Sequence, residues 1–370
     1  MSVHRFTSQK FRFYSFVCIA LLLFVHGYNL NETYLQPFSM VKEPLTFTTF
    51  FEYFISNGIL RFRIPLLFII SGYFFAMQDS RPYLQRIKKR FASLMIPFFI
   101  WSALGLLFTI WLEQYDITAQ AVRLAELDQM GDRRPYSTMA WDDLLFRWLV
   151  APVSFQLWFL RSLFLYNLFY PIIKWLVTKI PAVWFVIALL FWLIGFRILF
   201  MEGQGLLFFS FGVWLFKSNY PLHQTPKWFS HYLSWLFFIG LSVIKTFMAF
   251  ELEMDTMPSY RIITVLHCSA VFAGVFAVWF GADAIVKWCM SKKWFVWASA
   301  FSFFIFGLHV PLLAYLTRFV YMYCSQIPNY RLLTYLIVPS FVLLFCISVG
   351  ALVRSLFPKV YRVMTGGRGI

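Results

Sequence analysis

The chain has 370 residues, of which 61% are apolar, 22% aromatic and only 13% charged, whereas soluble domains carry about 25% charged residues. Its 48 Phe, 15 Trp and 19 Tyr are too many to hide in one water-soluble core, so a soluble globule is excluded and lipid is the solvent for most of the surface. The net charge of +16 does not call for nucleic acid, because the basic residues fall between apolar runs rather than in a block of their own; membrane topology accounts for them.

Apolar runs long enough to cross a bilayer predict spans near Tyr14 to Leu30, Gly58 to Met77, Phe91 to Leu112, Phe155 to Val177 and Ala182 to Phe200. Five more are expected near Gly205 to Phe216, Tyr232 to Phe250, Ile262 to Val286, Trp294 to Leu316 and Leu332 to Val353. The first has basic residues ahead of it (Arg5, Lys10, Arg12) but no small-x-small cleavage site after it, and reads as a span rather than a signal peptide. The sixth is short, and the alternation of charge argues that it crosses. Lys and Arg concentrate in the N-terminal arm, in Asp79 to Arg90, Lys174 to Lys179, Lys217 to Lys227, Lys287 to Lys293 and in the tail from Arg354, whereas Glu32, Glu43, Glu52, Glu202, Glu251, Glu253 and Asp255 lie on the opposite connections. The expected fold is therefore all-α, a polytopic transmembrane helical bundle of about ten spans with both termini cytoplasmic.

One domain, 1–370, is expected, with an extracytoplasmic segment at about 113–151. Within it, Trp141 to Val150 reads as a short helix lying on the membrane interface, serving as a lid or a tether. Five cysteines without a CxxC pair read as buried thiols, and no metal site is expected.

Ionisable groups at membrane depth are costly and mark function by default. His26, Arg61, Arg63, Arg161, Arg197, Lys245, Arg261, His267 and His309 all fall in the expected outer halves of their spans and would make a cationic vestibule. For Arg197, Lys245 and Arg261, snorkelling to the headgroups is an equal alternative. The sequence has no G-x-S-x-G elbow, HExxH or Walker loop, and no paired carboxylates within its spans. Arg61 and Arg63 flank one residue, so on a regular helix they diverge by about 200° and cannot face one ligand. Either the helix starts late, at Pro65, leaving this segment irregular, or the two have separate tasks.

Five segments together resemble the integral-membrane acyltransferase-3 family: ALLLFVHGYN with His26, RFRIPLLFIISGYFF from Arg61, RIKKRFASLMIPFFIWS from Arg86, LWFLRSLFLYNLFYP from Leu157 and FSFFIFGLHVPLL from Phe301. They stand in the family's order over the full length. The family commonly has a basic residue eleven positions before the first-span histidine. Here that position is Ser15, and Arg12, nearly one turn earlier and on roughly the same face, is the candidate to substitute for it.

The resemblance implies an acyltransferase, moving groups other than aminoacyl groups, that takes an acyl group, acetyl first among the candidates, from acyl-CoA to a hydroxyl of a cell-surface or lipid-linked carbohydrate. It also implies a multi-pass protein of the cytoplasmic (inner) membrane whose partners are acyl-CoA, a carbohydrate acceptor and the bilayer, without nucleic acid. His26 would be the base that takes the hydroxyl proton, since an imidazole is about half neutral near pH 6.5, or would itself carry the acyl group. One of Arg61 and Arg63 would meet the coenzyme or the oxyanion and the other would hold the segment. Arg161, Trp158, His309, Ser71, Tyr73 and Arg12 complete the expected substrate-binding set. Ser71, Gly72 and Tyr73 are also read as a close-packing patch. The competing reading is a transporter or flippase for an anionic glycolipid or polyprenyl-linked intermediate, disfavoured by the lack of repeated halves.

Overall fold

The computed structural model describes residues 4–28, 38–253 and 256–369. The expected charge markers Glu32 and Asp255 lie outside the described residues. α1 spans Arg5–His26. The run Phe47–Ala76 is composite: α2 (Phe47–Tyr53), a π turn (Phe54–Gly58), a 3-10 turn (Ile59–Phe62) and α3 (Arg63–Ala76). So is Tyr83–Leu112, where α4 (Tyr83–Arg90) meets α5 (Ile96–Leu112) through a second π turn, Phe91–Met95. The polar segment holds α6 (Asp116–Ala125) and α7 (Trp141–Leu149). Then come α8 (Trp158–Leu168), α9 (Tyr170–Lys179), α10 (Pro181–Leu193), a hairpin of β1 (Arg197–Ile198) and β2 (Met201–Glu202), and α11 (Gly203–Lys217). The chain continues with α12 (His231–Glu251), α13 (Met257–Gly281), α14 (Asp283–Ser291), α15 (Lys293–Ser299), α16 (Ser302–Cys324), α17 (Tyr330–Leu356) and α18 (Pro358–Met364).

Seven of these runs are long and apolar enough to cross a membrane: Arg5–His26, Phe47–Ala76, Tyr83–Leu112, His231–Glu251, Met257–Gly281, Ser302–Cys324 and Tyr330–Leu356. The chain is a helical, multi-pass membrane protein. The three other expected spans are shorter helices, and the reason is local. Phe169 leaves helical geometry (φ −88°, ψ 6°) just before Pro171 in the first turn of α9, and Ile180 (φ −135°, ψ 51°) is turned out of the α region by Pro181 behind it. The run from Phe155 to Val177 is thereby split into α8 and α9.

The chain clusters into two units. One comprises Met1–Leu21, Leu35–Arg90 and Ser162–Ser299; the other comprises Leu22–Tyr34, Phe91–Arg161 and Ala300–Ile370.

In the first unit, α3 and α11 touch backbone to backbone. A Cβ on Gly72 would lie 2.2 Å from the Phe209 carbonyl oxygen, and one on Gly212 would lie 2.1 Å from that of Ile69. Small residues permit this approach where lipid supplies no hydrophobic drive between helices, so the packing reading of the Ser71 to Tyr73 patch holds at Gly72. Lys10 of α1 is fully buried, bonded to Asp283 at 2.5 Å and to the Trp279 carbonyl at 2.8 Å. After α3, Asp79 gathers Arg86 (2.8 Å), Lys174 (2.9 Å), Lys217 and the Tyr170 hydroxyl (2.8 Å). Burial raises the Asp79 carboxyl, but the bonds from Lys217, Lys174 and Tyr170 outweigh it and hold the pKa at about 2.

In the second unit, the polar segment is folded onto its own apolar cluster, which includes Leu106, Val122, Tyr136, Met139, Val153 and Tyr315. The Glu113 carboxylate accepts from the amides of Tyr136 (3.0 Å) and Ser137 (2.8 Å). Buried Arg147 of α7 clamps Asp128 (2.6 Å) and Asp132 (3.2 Å). α7 is seated on α5 by Ser102, which donates to the Trp148 carbonyl, and by Trp148, whose indole donates to the Phe99 carbonyl. Trp141, Leu145 and Phe146 remain exposed, the pattern of a helix lying in a membrane interface.

Candidate active site

α16 carries one break. Val310 leaves helical geometry (φ −111°, ψ 133°) ahead of Pro311, which has no N–H to give the Gly307 carbonyl one turn earlier. Buried Gln156, in the 3-10 turn Phe155–Leu157, offers its side-chain amide to the carbonyls of Phe306 (3.2 Å) and Gly307 (3.4 Å), and Ser154 donates to the Val310 carbonyl at 3.0 Å. Two side chains from one loop thus satisfy the carbonyls that the proline leaves open. His309 sits immediately before the break.

His309 is fully buried, and its Nδ1 lies 2.9 Å from the Ile305 carbonyl oxygen. Its Nε2 lies 3.0 Å from Nδ1 of His26, the last residue of α1. The rings are nearly parallel at 13°, with centroids 5.2 Å apart, and Phe155 leans on His26 at 4.8 Å. A carbonyl oxygen only accepts, so His309 Nδ1 carries the proton and its Nε2 the lone pair. That nitrogen accepts from His26 Nδ1–H, and the lone pair of neutral His26 falls on Nε2. The arrangement fixes one tautomer of each ring and gives His26 a base directed away from His309.

Arg161 and Trp158 belong to the same unit. Arg161 donates to the Val150 carbonyl and stands over the Phe98 ring at 5.2 Å. Trp158 is half-buried, with its ring edge-on to Phe159 at 6.0 Å.

In the other unit, Arg61 and Arg63 straddle the junction between the 3-10 turn and α3, which begins at Arg63, two residues before the expected start at Pro65. The segment is irregular, and the two arginines have different surroundings. Arg63 is buried and donates through Nε to the Leu60 carbonyl and through Nη1 to the Cys18 carbonyl of α1 at 3.5 Å. Arg61 is half-buried and donates to Asn57 Oδ1. Arg12 donates to Ser299 Oγ (2.8 Å) and the Val296 carbonyl (2.5 Å) of α15. Ser71 and Tyr73 lie half-buried on α3, with Tyr73 among the rings of Phe11 and Phe216.

Lys245 does not snorkel: it is fully buried and bonded to the Asn57 carbonyl at 2.5 Å and His267 Nδ1 at 3.1 Å. Arg197 and Arg261 are exposed. Gln156, Ser154 and Asn57, polar residues without charge, escaped a reading that searched for ionisable groups. Pro311, two residues after His309, was the available signal, since it announces a carbonyl in need of a donor. Among the described residues, no group of three or more His, Cys, Asp or Glu converges as a metal site would.

The family model described as "Acyltransferase domain" matches residues 16–355. The chain is also similar to the succinoglycan biosynthesis protein ExoH of Rhizobium meliloti, at 24% identity over 322 residues, covering 85% of this chain and 81% of that protein. No solved structure matches.

Proposed function

We propose that this chain, which belongs to the acyltransferase-3 family, transfers an acyl group, acetyl first among the candidates, from acyl-CoA to a hydroxyl of a cell-surface or lipid-linked carbohydrate. The observation that carries this reading is the polarity of the His26–His309 contact. His26 Nε2 takes the proton of the acceptor hydroxyl as its oxygen attacks the thioester carbonyl. The charge gained by His26 is shared through its Nδ1–H with neutral His309, and through His309 with the Ile305 carbonyl. Collapse of the tetrahedral intermediate breaks the carbon–sulfur bond, and the leaving thiolate takes up a proton, returning His26 to its starting tautomer when that proton comes from Nε2.

Arg61 is assigned to the donor or the oxyanion, because it is the less buried of the pair and its guanidinium presents paired donors. Arg63, bonded to two backbone carbonyls, is assigned to holding the segment. Arg161, Trp158, Ser71, Tyr73 and Arg12 stay in the proposed substrate-binding set, with acyl-CoA and a carbohydrate as partners in the cytoplasmic membrane. Ten crossings with both termini inside remain the proposed topology: α8 with α9, α10 and α11 supply the three crossings beyond the seven long runs.

The test is to incubate membranes containing the protein with labelled acetyl-CoA and candidate surface glycans. Label on the glycan, dependent on His26, supports the reading. Absence of transfer to any hydroxyl acceptor while the protein moves a lipid-linked glycan across vesicles overturns it.

A further inference from the structure

The helical run Phe47–Ala76 leaves α pitch for nine residues, Phe54–Phe62. A π turn passes directly into a 3-10 turn, with Gly58 at φ −89°, ψ −87°. Single π turns inside α-helices are frequent at functional sites. Here the turn ends at Gly58, where a Cβ would stand 3.2 Å from Cβ of Ser242, so α12 comes close enough for Lys245 to reach the Asn57 carbonyl.

Lys245 has two hydrogen-bond acceptors among the described residues. A lysine ammonium has three protons, and its two acceptors, the Asn57 carbonyl and His267 Nδ1, engage two of them. Since an ammonium only donates, His267 Nδ1 holds the lone pair and Nε2 carries that ring's proton. Asn57 Oδ1 accepts from Arg61, which orients the amide. Among the described residues its Nδ2 is buried without an acceptor. Asn57 and Lys245 are fully buried and His267 is 3% exposed. The π turn and α12 of one unit thus hold an ammonium and a buried amide N–H that, among the described residues, have fewer acceptors than protons. Such an arrangement inside a membrane protein is costly unless a ligand completes it.

We propose that this cluster binds a carboxylate of the substrate. A carboxylate offers about four lone-pair positions on two oxygens, enough for the third Lys245 proton and Asn57 Nδ2, and its negative charge is of the sign that the ammonium and the neighbouring Arg61 guanidinium favour. Two sources share this chemistry: the distal carboxylate of a dicarboxylic acyl group, and the carboxylate of an acidic sugar in the acceptor. The inference rests on the acyltransferase reading and narrows its substrate class to an acidic one.

The experiment measures binding to the purified full-length protein in lipid nanodiscs. The donor arm compares succinyl-CoA with acetyl-CoA, and the acceptor arm compares glucuronate with glucose. In one arm the acidic probe binds more tightly than its neutral counterpart by at least about tenfold, the scale of one charge-assisted hydrogen bond, and that arm names the source. Lys245→Met removes the preference while leaving the neutral probe's affinity within about twofold. Asn57→Asp, which keeps the shape and places a carboxylate of the protein's own in the cluster, also removes the preference and carries the test if the Lys245 variant fails to assemble. No acidic preference in either arm, or a preference that Asn57→Asp leaves intact, overturns the inference. Because the preference is read by binding, it fails separately from the labelled-acetyl assay that tests the acyltransferase reading.

Discussion

His26 and His309 meet at 3.0 Å through one nitrogen each, and the Ile305 carbonyl behind His309 decides which of them donates. The consequence is an ordered loss of activity. His26→Ala removes the base itself and is expected to lower transfer by at least about a hundredfold, the usual scale of a general base. His309→Ala leaves the base but frees its tautomer, and is expected to cost about tenfold or more. His309→Gln, whose carbonyl oxygen can accept from His26 Nδ1, is expected to recover part of that loss. Transfer assays at matched membrane levels check the order, and a His309→Ala variant as active as the parent would sever the pair.

For the arginines, the expectation is a split between assembly and turnover. Arg63→Lys gives up a donor to the Leu60 or Cys18 carbonyl and lowers thermal stability by about 1–3 kcal/mol. Arg61→Lys keeps the charge but gives up the planar pair of donors, so it assembles at parental levels and loses most of its turnover at saturating acyl-CoA. Melting curves and single-substrate kinetics on the two variants separate the roles, and equal behaviour of both variants in both measurements contradicts the assignment.

Asp79 predicts an acid sensitivity. Its folded pKa of about 2 lies below the ordinary aspartate value of about 3.9. Its contribution is therefore complete above about pH 5 and is lost as pH falls through about 4 toward 2. The parent's melting temperature in detergent should drop between pH 5 and pH 3. Asp79→Asn should start lower at pH 7, leaving Arg86, Lys174 and Lys217 without their common anion, and should drop less. Parallel curves for the two proteins would show that another group governs the acid response.

Topology is tested by reporters. With ten crossings, a reporter at Lys292 reads cytoplasmic and one at Asp128, inside the Arg147 clamp segment, reads external. Both on one face would require removal of an odd number of crossings, α10 and α11 being the first to reconsider because of their length.

The sequence made the apolar runs legible because lipid demands some twenty apolar residues in a row. It hid how they are interrupted. Pro171 and Pro181 were visible, but their effect on the run beginning at Phe155 depended on local geometry that hydropathy averages away. His309 stood out as a histidine at membrane depth, whereas its pairing with His26 is a contact between residues 283 positions apart. Lys245 read equally well as a snorkelling residue, since nothing in its own helix reveals that Asn57 and His267 come to meet it. Gln156 was invisible for the opposite reason: its task is set by a proline in another helix.

The reciprocal contact of Gly72 and Gly212 has a mechanical consequence. With each glycine pressed on the other helix's backbone, α3 and α11 interlock at these two points. A slip by one residue would drive the Cβ of Ser71 or Tyr73 into a carbonyl, a clash of the overpacked kind. The two helices behave as one strut. Any movement of α3 during a catalytic cycle carries α11 with it, and the compliance needed for that movement falls to the π and 3-10 turns at its N-terminal end, where Arg61 and Asn57 reside.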